Sequence, residues 1–105
     1  MPAGNRRLVW APAAKNDLRD IWRYFVGVAS PEIADRLLRD IHRAGERARD
    51  RPQTWRVRDE IMPGLRSILV HPYVVFYRFS GETVEIVRVL HQRRNLAAVF
   101  PKRTP

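Results

Sequence analysis

Hydrophobic positions recur along this chain with two different periods, and the change from one to the other divides it into a helical half and a strand half. Arg7 to Ala11 is short and apolar at its centre, and reads as an edge strand that Pro12 stops. Leu18, Ile21, Trp22, Phe25 and Val26 then fall at i, i+3, i+4, i+7 and i+8, one helical stripe, with Asp17, Arg19, Asp20 and Arg23 assigned to the other side. Gly27 to Ser30 interrupts the pattern, and Ser30-Pro31-Glu32 opens a second helix with a hydroxyl cap, a proline in the first turn and an acid near the positive end. Its apolar face is Ala34, Leu37, Leu38, Ile41, Ala44, Gly45 and Ala48; the last three are small enough for a neighbouring element to approach closely. Arg51-Pro52 ends it. Two striped helices joined by a short turn predict an αα-hairpin that must bury its stripes on something else.

The strand half supplies that surface. Gln53 to Met62 is polar and reads as a short strand or an extended lead-in, and Pro63-Gly64 signals a turn. Leu65 to His71 is a strand broken by Pro72. Tyr73 to Phe79 is apolar on both faces apart from Arg78, as expected of a central strand. Ser80-Gly81-Glu82 is a tight hairpin connection, and Thr83 to His91 is the last strand. Strict alternation there sends Val84, Ile86, Arg88 and Leu90 one way and Thr83, Glu85, Val87, Val89 and His91 the other. Gln92 to Asn95 is a polar hinge, Leu96 to Phe100 one helical turn, and the last five residues a loose tail. The expected architecture is α+β in the order β-α-α-β-β-β: an antiparallel twisted sheet packed against a two-helix hairpin, with a short C-terminal helical turn. The 105 residues are read as one domain, without repeats.

Charge changes this picture from a generic scaffold to one with a partner. There are 20 basic and 11 acidic residues, a formal net charge of +9, and all the bases but Lys15 and Lys102 are arginine. Such a chain seeks a polyanion or an acidic protein. No acid follows Glu85, whereas Arg88, Arg93, Arg94, Lys102 and Arg103 do, so the C-terminal end is a patch of one sign. The absence of cysteine excludes disulfides, thiol nucleophiles and cysteine-ligated zinc and fits a reducing compartment. No apolar run approaches the ~20 residues of a membrane span, and the first ten residues lack a secretory apolar stretch, so a cytoplasmic protein without membrane contact is expected. No metal site and no cofactor are expected, because neither ligand clusters nor a glycine-rich phosphate loop is present.

Of the three histidines, His42 sits on the polar side of the second helix and His71 in a turn. His91 ends the last strand beside Arg93 and Arg94, the one setting suited to acid–base chemistry; a strand-end surface histidine is the plainer reading. Arg66, Arg78 and Arg88 each interrupt an apolar strand, so each must pair internally, lie on an open face, or wait for a partner; Arg88 with Glu85 or Glu60 is one such internal pair.

Several stretches, taken in order, resemble the RelE/ParE toxin superfamily of bacterial type II toxin–antitoxin modules, and the ParE branch most. They are Ala14 to Leu18 through Ile21 and Tyr24; Ser30-Pro31-Glu32 with Ala34 and Leu37; Pro63 to Ser67; Pro72 to Arg78; and Val84 to Asn95. The resemblance covers nearly the whole chain. It implies a small toxin of the kind linked to plasmid stabilisation, bound by a ParD-like antitoxin that wraps a disordered tail around it. ParE-like toxins are associated with inhibition of DNA gyrase, RelE-like toxins with cleavage of mRNA on the ribosome. The RelE-type set would fall on Arg66, His91 and Arg93 here. Its middle-strand arginine position is Val74, its C-terminal tyrosine position falls near Val99 or Phe100, and the residues around Ile68 and Leu69 are aliphatic. A cage so depleted can hold RNA but is expected to cleave it poorly. The expectation is therefore a binding toxin with no catalytic residue, contacting its target through Arg88, Arg93 and Arg94 and its antitoxin through Trp22, Arg66, Tyr73 and Arg78. A RelE-like ribonuclease, and a non-toxic module acting only through its antitoxin complex, are the alternatives; direct contact with nucleic acid is compatible with each.

Overall fold

The structure, a computed structural model, describes residues 6–100; the tail expected at residues 101–105 lies outside them. The elements are β1 (Arg7–Trp10), α1 (Pro12–Val28), α2 (Pro31–Asp50), β2 (Arg56–Val57), β3 (Arg66–Val70), β4 (Tyr73–Ser80), β5 (Thr83–His91) and α3 (Leu96–Val99). The fold is α+β, as the periodicities predict. The strands form one sheet in the order β1-β5-β4-β3-β2. β5, β4, β3 and β2 are antiparallel neighbours. β1 runs parallel to β5, Leu8 opposite Val84 and Trp10 opposite Ile86, so the sheet is mixed and not wholly antiparallel. A parallel pair needs a crossover, and here the whole helical hairpin and three strands lie between the two partners. The polar stretch before Pro63 does contain a strand, two residues long, at the far edge.

Both helices start where their sequence directs. Pro12 follows Ala11, which makes no side-chain cap. The Ser30 hydroxyl accepts the Ile33 N–H at 3.2 Å, with Pro31 in the first turn. α1 runs through Gly27 to Val28, one residue past the expected break, and the space beside Gly27 is open. Gly64 and Gly81 both take positive φ, 81° and 59°, in the turns before β3 and between β4 and β5.

The sheet has a core on each face. Against the hairpin lie Ala14, Leu18 and Ile21 of α1, Ile41, Ala44 and Ala48 of α2, and Ile68, Tyr73, Val75, Tyr77, Val84, Ile86 and Val89 of the strands. The second cluster is smaller: Leu65, Phe76, Leu90 and Phe100, edged by Leu96 and Val99 of α3. β4 feeds both, Val75 and Tyr77 to one and Phe76 to the other, which is why its sequence is apolar on both faces. β5 does not alternate strictly. The register with β4 shifts between Phe76 and Tyr77, so that Phe76 faces Arg88 while Tyr77 faces Ile86. The extra residue is Val87, and past this bulge the parity reverses: Val84, Ile86 and Val89 share the hairpin-side core, and Val87 packs with Leu90 on the other side.

Trp10 explains the small residues on α2. Its ring covers Gly45 and packs against the His42 ring at 4.8 Å between centroids. A Cβ at Gly45 would lie 2.7 Å from Trp10 Cζ2. Gly45→Ala is therefore expected to destabilise the fold by about 1–3 kcal/mol, read as a lower urea midpoint, despite the better helix propensity of alanine. A second prediction concerns alkali. Tyr77 is fully buried and donates to the Pro52 carbonyl at 2.6 Å; burial pushes its phenol from 10.0 up to about 12. The folded state thus holds this proton more tightly than the unfolded chain. The resulting stability, on the order of 2 kcal/mol, is complete below pH 10 and lost between pH 10 and about 12. Urea titrations across that range should show a shallower alkaline loss in Tyr77→Phe, from a lower starting stability because Pro52 loses its donor.

Candidate functional site

The basic end grows out of β5 just past the bulge. Asp17 of α1 grips that bulge: its Oδ2 accepts from Arg88 Nε at 2.8 Å and from the Val89 backbone N–H at 2.9 Å, and its Oδ1 accepts from Arg88 Nη2 at 2.9 Å. The Asp17 side chain is 11% exposed and that of Arg88 26%. The hydrogen bond to Asp17 pushes the Arg88 guanidinium up from its ordinary value, against the pull of burial. Arg88, expected on the target-facing platform, is therefore committed to an internal pair, and its partner is neither Glu85 nor Glu60. Asp17, assigned to the outer side of α1, belongs to the inner one. It stands three residues after Ala14 and four before Ile21, both buried, and those spacings share a helical flank.

From the clamp the chain runs through Val89 and Leu90, one in each core, to His91. His91 is exposed, with Tyr73 edge-on against its ring at 5.6 Å. Its Nδ1 accepts the Arg93 N–H at 3.1 Å and its carbonyl the Arg94 N–H at 2.8 Å, while Gln92 N–H donates to Pro72 O at 2.8 Å. In the neutral ring Nε2 then carries the hydrogen. The turn closes on α3, where Asn95 Oδ1 accepts the Ala97 N–H at 3.1 Å and Phe100 packs on Phe76 at 5.1 Å between centroids. The 92–95 turn is thus tied at both ends, and it presents Arg93 and Arg94 to solvent. Neither makes an ion pair among the described residues. Leu90, Leu96 and Phe100 anchor these cations from below, the service performed by the short C-terminal helical turn.

The other expected contact residues fare differently. Tyr73 is 8% exposed and lies in the hairpin-side core against Phe25, where burial raises its phenol above the ordinary value. The ring assigned to antitoxin contact is therefore mostly covered by α1 and offers only its edge to another molecule. Arg66 is half-buried over the Phe79 ring, and its Nη1 donates to Trp55 O at 2.8 Å and Gln53 O at 3.3 Å. It braces the segment before β2. Arg78 is exposed and pairs with Glu85 at 2.8 Å. Trp22 remains partly open at 37%; its Nε1 donates to Asp35 Oδ1 at 2.9 Å across the hairpin, beside a groove lined by Leu18, Arg19, Arg23 and Leu38.

Arg66, His91 and Arg93 do not converge. Arg66 pairs with Tyr77 and His91 with Tyr73, four residues apart on β4, or roughly 13 Å along the sheet. Two residues that the periodicities missed also shape the surface. Arg58 stacks on Phe76, donates to buried Ser67 and pairs with Glu60 at 2.8 Å, holding that carboxylate below its usual range. Trp55 donates its indole N–H to Arg47 O at 3.2 Å. Among the described residues no three His, Cys, Asp or Glu side chains gather to hold a metal ion, and no helix is long and apolar enough to cross a membrane.

Comparison with known proteins agrees with this geometry. The family model described as the ParE toxin of the type II toxin–antitoxin system parDE matches residues 8–96. The chain is 37% identical over 91 residues to Toxin ParE1 of Mycobacterium tuberculosis, covering 86% of this chain and 93% of that one. It is 34% identical over 98 residues to Toxin ParE3 of Caulobacter vibrioides, covering 93% and 98%. A solved structure described as a chromosomal ParDE TA system from P. aeruginosa superposes with a TM-score of 0.73 at 25% identity, over 83% of this chain and 96% of that chain.

The clamp makes a prediction of its own. Asp17→Ala leaves the Arg88 guanidinium and the Val89 N–H without their acceptor. Because Arg88 keeps some solvent, the cost should sit near the low end for broken buried pairs, about 2–3 kcal/mol. Urea unfolding measures it, and Asp17→Asn, which keeps one acceptor oxygen, should lose less.

Proposed function

The chain belongs to the ParE family of toxins of type II toxin–antitoxin systems, and from that membership we propose that it acts in the cytoplasm by binding and inhibiting DNA gyrase, until a ParD-like antitoxin neutralises it. The observation that carries a binding mechanism is the anchored turn after β5. Arg93 and Arg94 stand exposed and without ion pairs among the described residues, on a turn whose backbone is held by His91 and Pro72. A backbone already fixed in place has little freedom left to lose when its cations meet an acidic surface. Arg88 serves them from inside, by holding the bulge in the strand that leads to their turn. A ribonucleolytic reading has less support, since Arg66 is spent on two carbonyls and lies well along the sheet from His91 and Arg93.

The antitoxin surface in this reading is the hairpin groove at Trp22, with Leu18 and Leu38 as apolar floor and Arg19 and Arg23 as rim. An amphipathic acidic segment suits it. Arg78 is a lesser contact because Glu85 already occupies it.

The test is a supercoiling assay with gyrase and the purified chain. Inhibition is expected from wild type; undisturbed supercoiling at saturating, folded toxin overturns the proposal. Arg93→Ala with Arg94→Ala should raise the half-inhibitory concentration by about tenfold or more while leaving thermal stability unchanged, since neither side chain has a partner to lose among the described residues.

A further inference from the structure

The end of α2 and the β2 edge carry a second basic surface that the gyrase reading leaves unused. Between residues 47 and 56 stand four arginines and one acid. The acid, Asp50, is taken by Arg49 Nε at 3.1 Å. Arg47, Arg51 and Arg56 are exposed and make no ion pair among the described residues. Arg51 is the residue that ends α2, one turn after Arg47, and its N–H donates to Arg47 O at 3.0 Å. Arg56 follows at once on β2, opposite Ser67.

The backbone that bears them is unusually well fastened for a connection. Pro52 O accepts from buried Tyr77, Gln53 O and Trp55 O from Arg66, and Arg47 O from the Trp55 indole. The carbonyls that end α2 would ordinarily present negative partial charge. Arg6 Nη1 lies over two of them, at 3.1 Å from Asp50 O and 3.4 Å from Arg49 O, and cancels it. Nearby Glu60 is engaged by Arg58. Glu46, next to Arg47 in sequence, and Asp59, three residues past Arg56, make no ion pair among the described residues. By strand register this surface stands three strands away from β5 and well back from His91, on the order of 20 Å from the Arg93–Arg94 turn.

We infer that Arg47, Arg51 and Arg56 form a binding surface for the phosphate backbone of duplex DNA, separate from the turn after β5. The partner's class follows from what the patch lacks. A protein partner would want a desolvated apolar anchor at the centre; here Pro52 is buried, Trp55 is half-buried with its N–H spent, and Val57 is the one exposed apolar residue of the segment. A single strand would want exposed aromatic rings for its bases to stack on, and this segment offers none. Guanidinium forks on a pinned backbone, without anchor or platform, suit a double-stranded backbone, which asks for charge alone. The inference does not depend on gyrase as the target, because it concerns contact between this chain and DNA alone.

The experiment is fluorescence anisotropy of a labelled 30-bp duplex, about that length being ample for one small domain, titrated with the full chain at several salt concentrations. The Arg47→Ala, Arg51→Ala, Arg56→Ala variant is compared with Arg36→Ala, Arg39→Ala, Arg43→Ala, which removes the same charge from the mixed-sign face of α2. Each phosphate contact contributes about 0.9 to the slope of log K against log salt, so the patch variant should flatten that slope by about 2 to 3 and weaken binding at least roughly tenfold at low salt. The control should change both far less. If the alanine variant fails to fold, glutamine at the same positions keeps a polar side chain and answers the same question. Equal weakening in the two variants would mean diffuse attraction to a basic protein and overturn the inference. So would patch-dependent binding of duplex RNA or of an acidic peptide with no matching effect on DNA.

Discussion

Asp17 joins parts of the chain that are 71 and 72 residues apart, and the working end of the molecule depends on that join. The carboxylate accepts three hydrogen bonds at the point where β5 carries one residue too many. A bulge leaves backbone polar groups without ladder partners, and burying them unpaired would be costly. Asp17 satisfies the Val89 N–H and neutralises Arg88 in the same grip. Without the bulge, alternation would carry Arg88 and Leu90 to the same face as Val84 and Ile86; with it, Val89 enters the hairpin-side core and Leu90 the opposite one. The two residues that lead into the basic turn are therefore rooted in different cores, and α1 is fastened to β5 beside them.

This arrangement accounts for what was legible in the sequence and what was not. Periodicity found the elements because burial imposes it locally: the α1 stripe, the Ser30-Pro31 start, the two-faced apolar run of β4 and the break at Pro72 all express which side of an element meets a core. The bulge has no such signature. Val87, Arg88 and Val89 are all acceptable strand residues, and the parity change shows only when β5 is laid against β4. β1 was visible as a strand but not as a parallel partner, since its pairing is decided by elements that follow it. Asp17 was recoverable in principle, being three residues after Ala14 and four before Ile21, but a charged side chain on a helix is assigned outward by default. Tyr73 differs in the opposite sense: an aromatic beginning a strand looks exposed, and only the packing of Phe25 against it shows that it is nearly buried.

The arginines divide by what each can reach. Arg66 finds carbonyls of the 52–55 connection, Arg88 a carboxylate, Arg58 a hydroxyl, a ring and Glu60, and Arg6 the end of α2. No buried polar side-chain atom among the described residues lacks a partner. So the guanidiniums inside the fold act as struts, tying loops and helix ends to the sheet where a small domain has little apolar surface to spare. Besides the arginines along the outer faces of the helices, two groups free of ion pairs among the described residues stand at the ends of elements: after β5, and where α2 gives way to β2.

Those two places share a construction. In each, a short connection is pinned through its backbone to neighbours, and the side chains it displays take no part in the pinning. Arg93 gives its N–H to His91 and leaves its guanidinium free; Arg51 gives its N–H to Arg47 O and does the same. A side chain that is not needed for the fold can be changed without unfolding it, and a backbone that is fixed keeps the charge in register with a partner. Binding through either surface therefore draws little on the conformational entropy of the backbone, and its strength depends on charge and geometry that the two cores have already set.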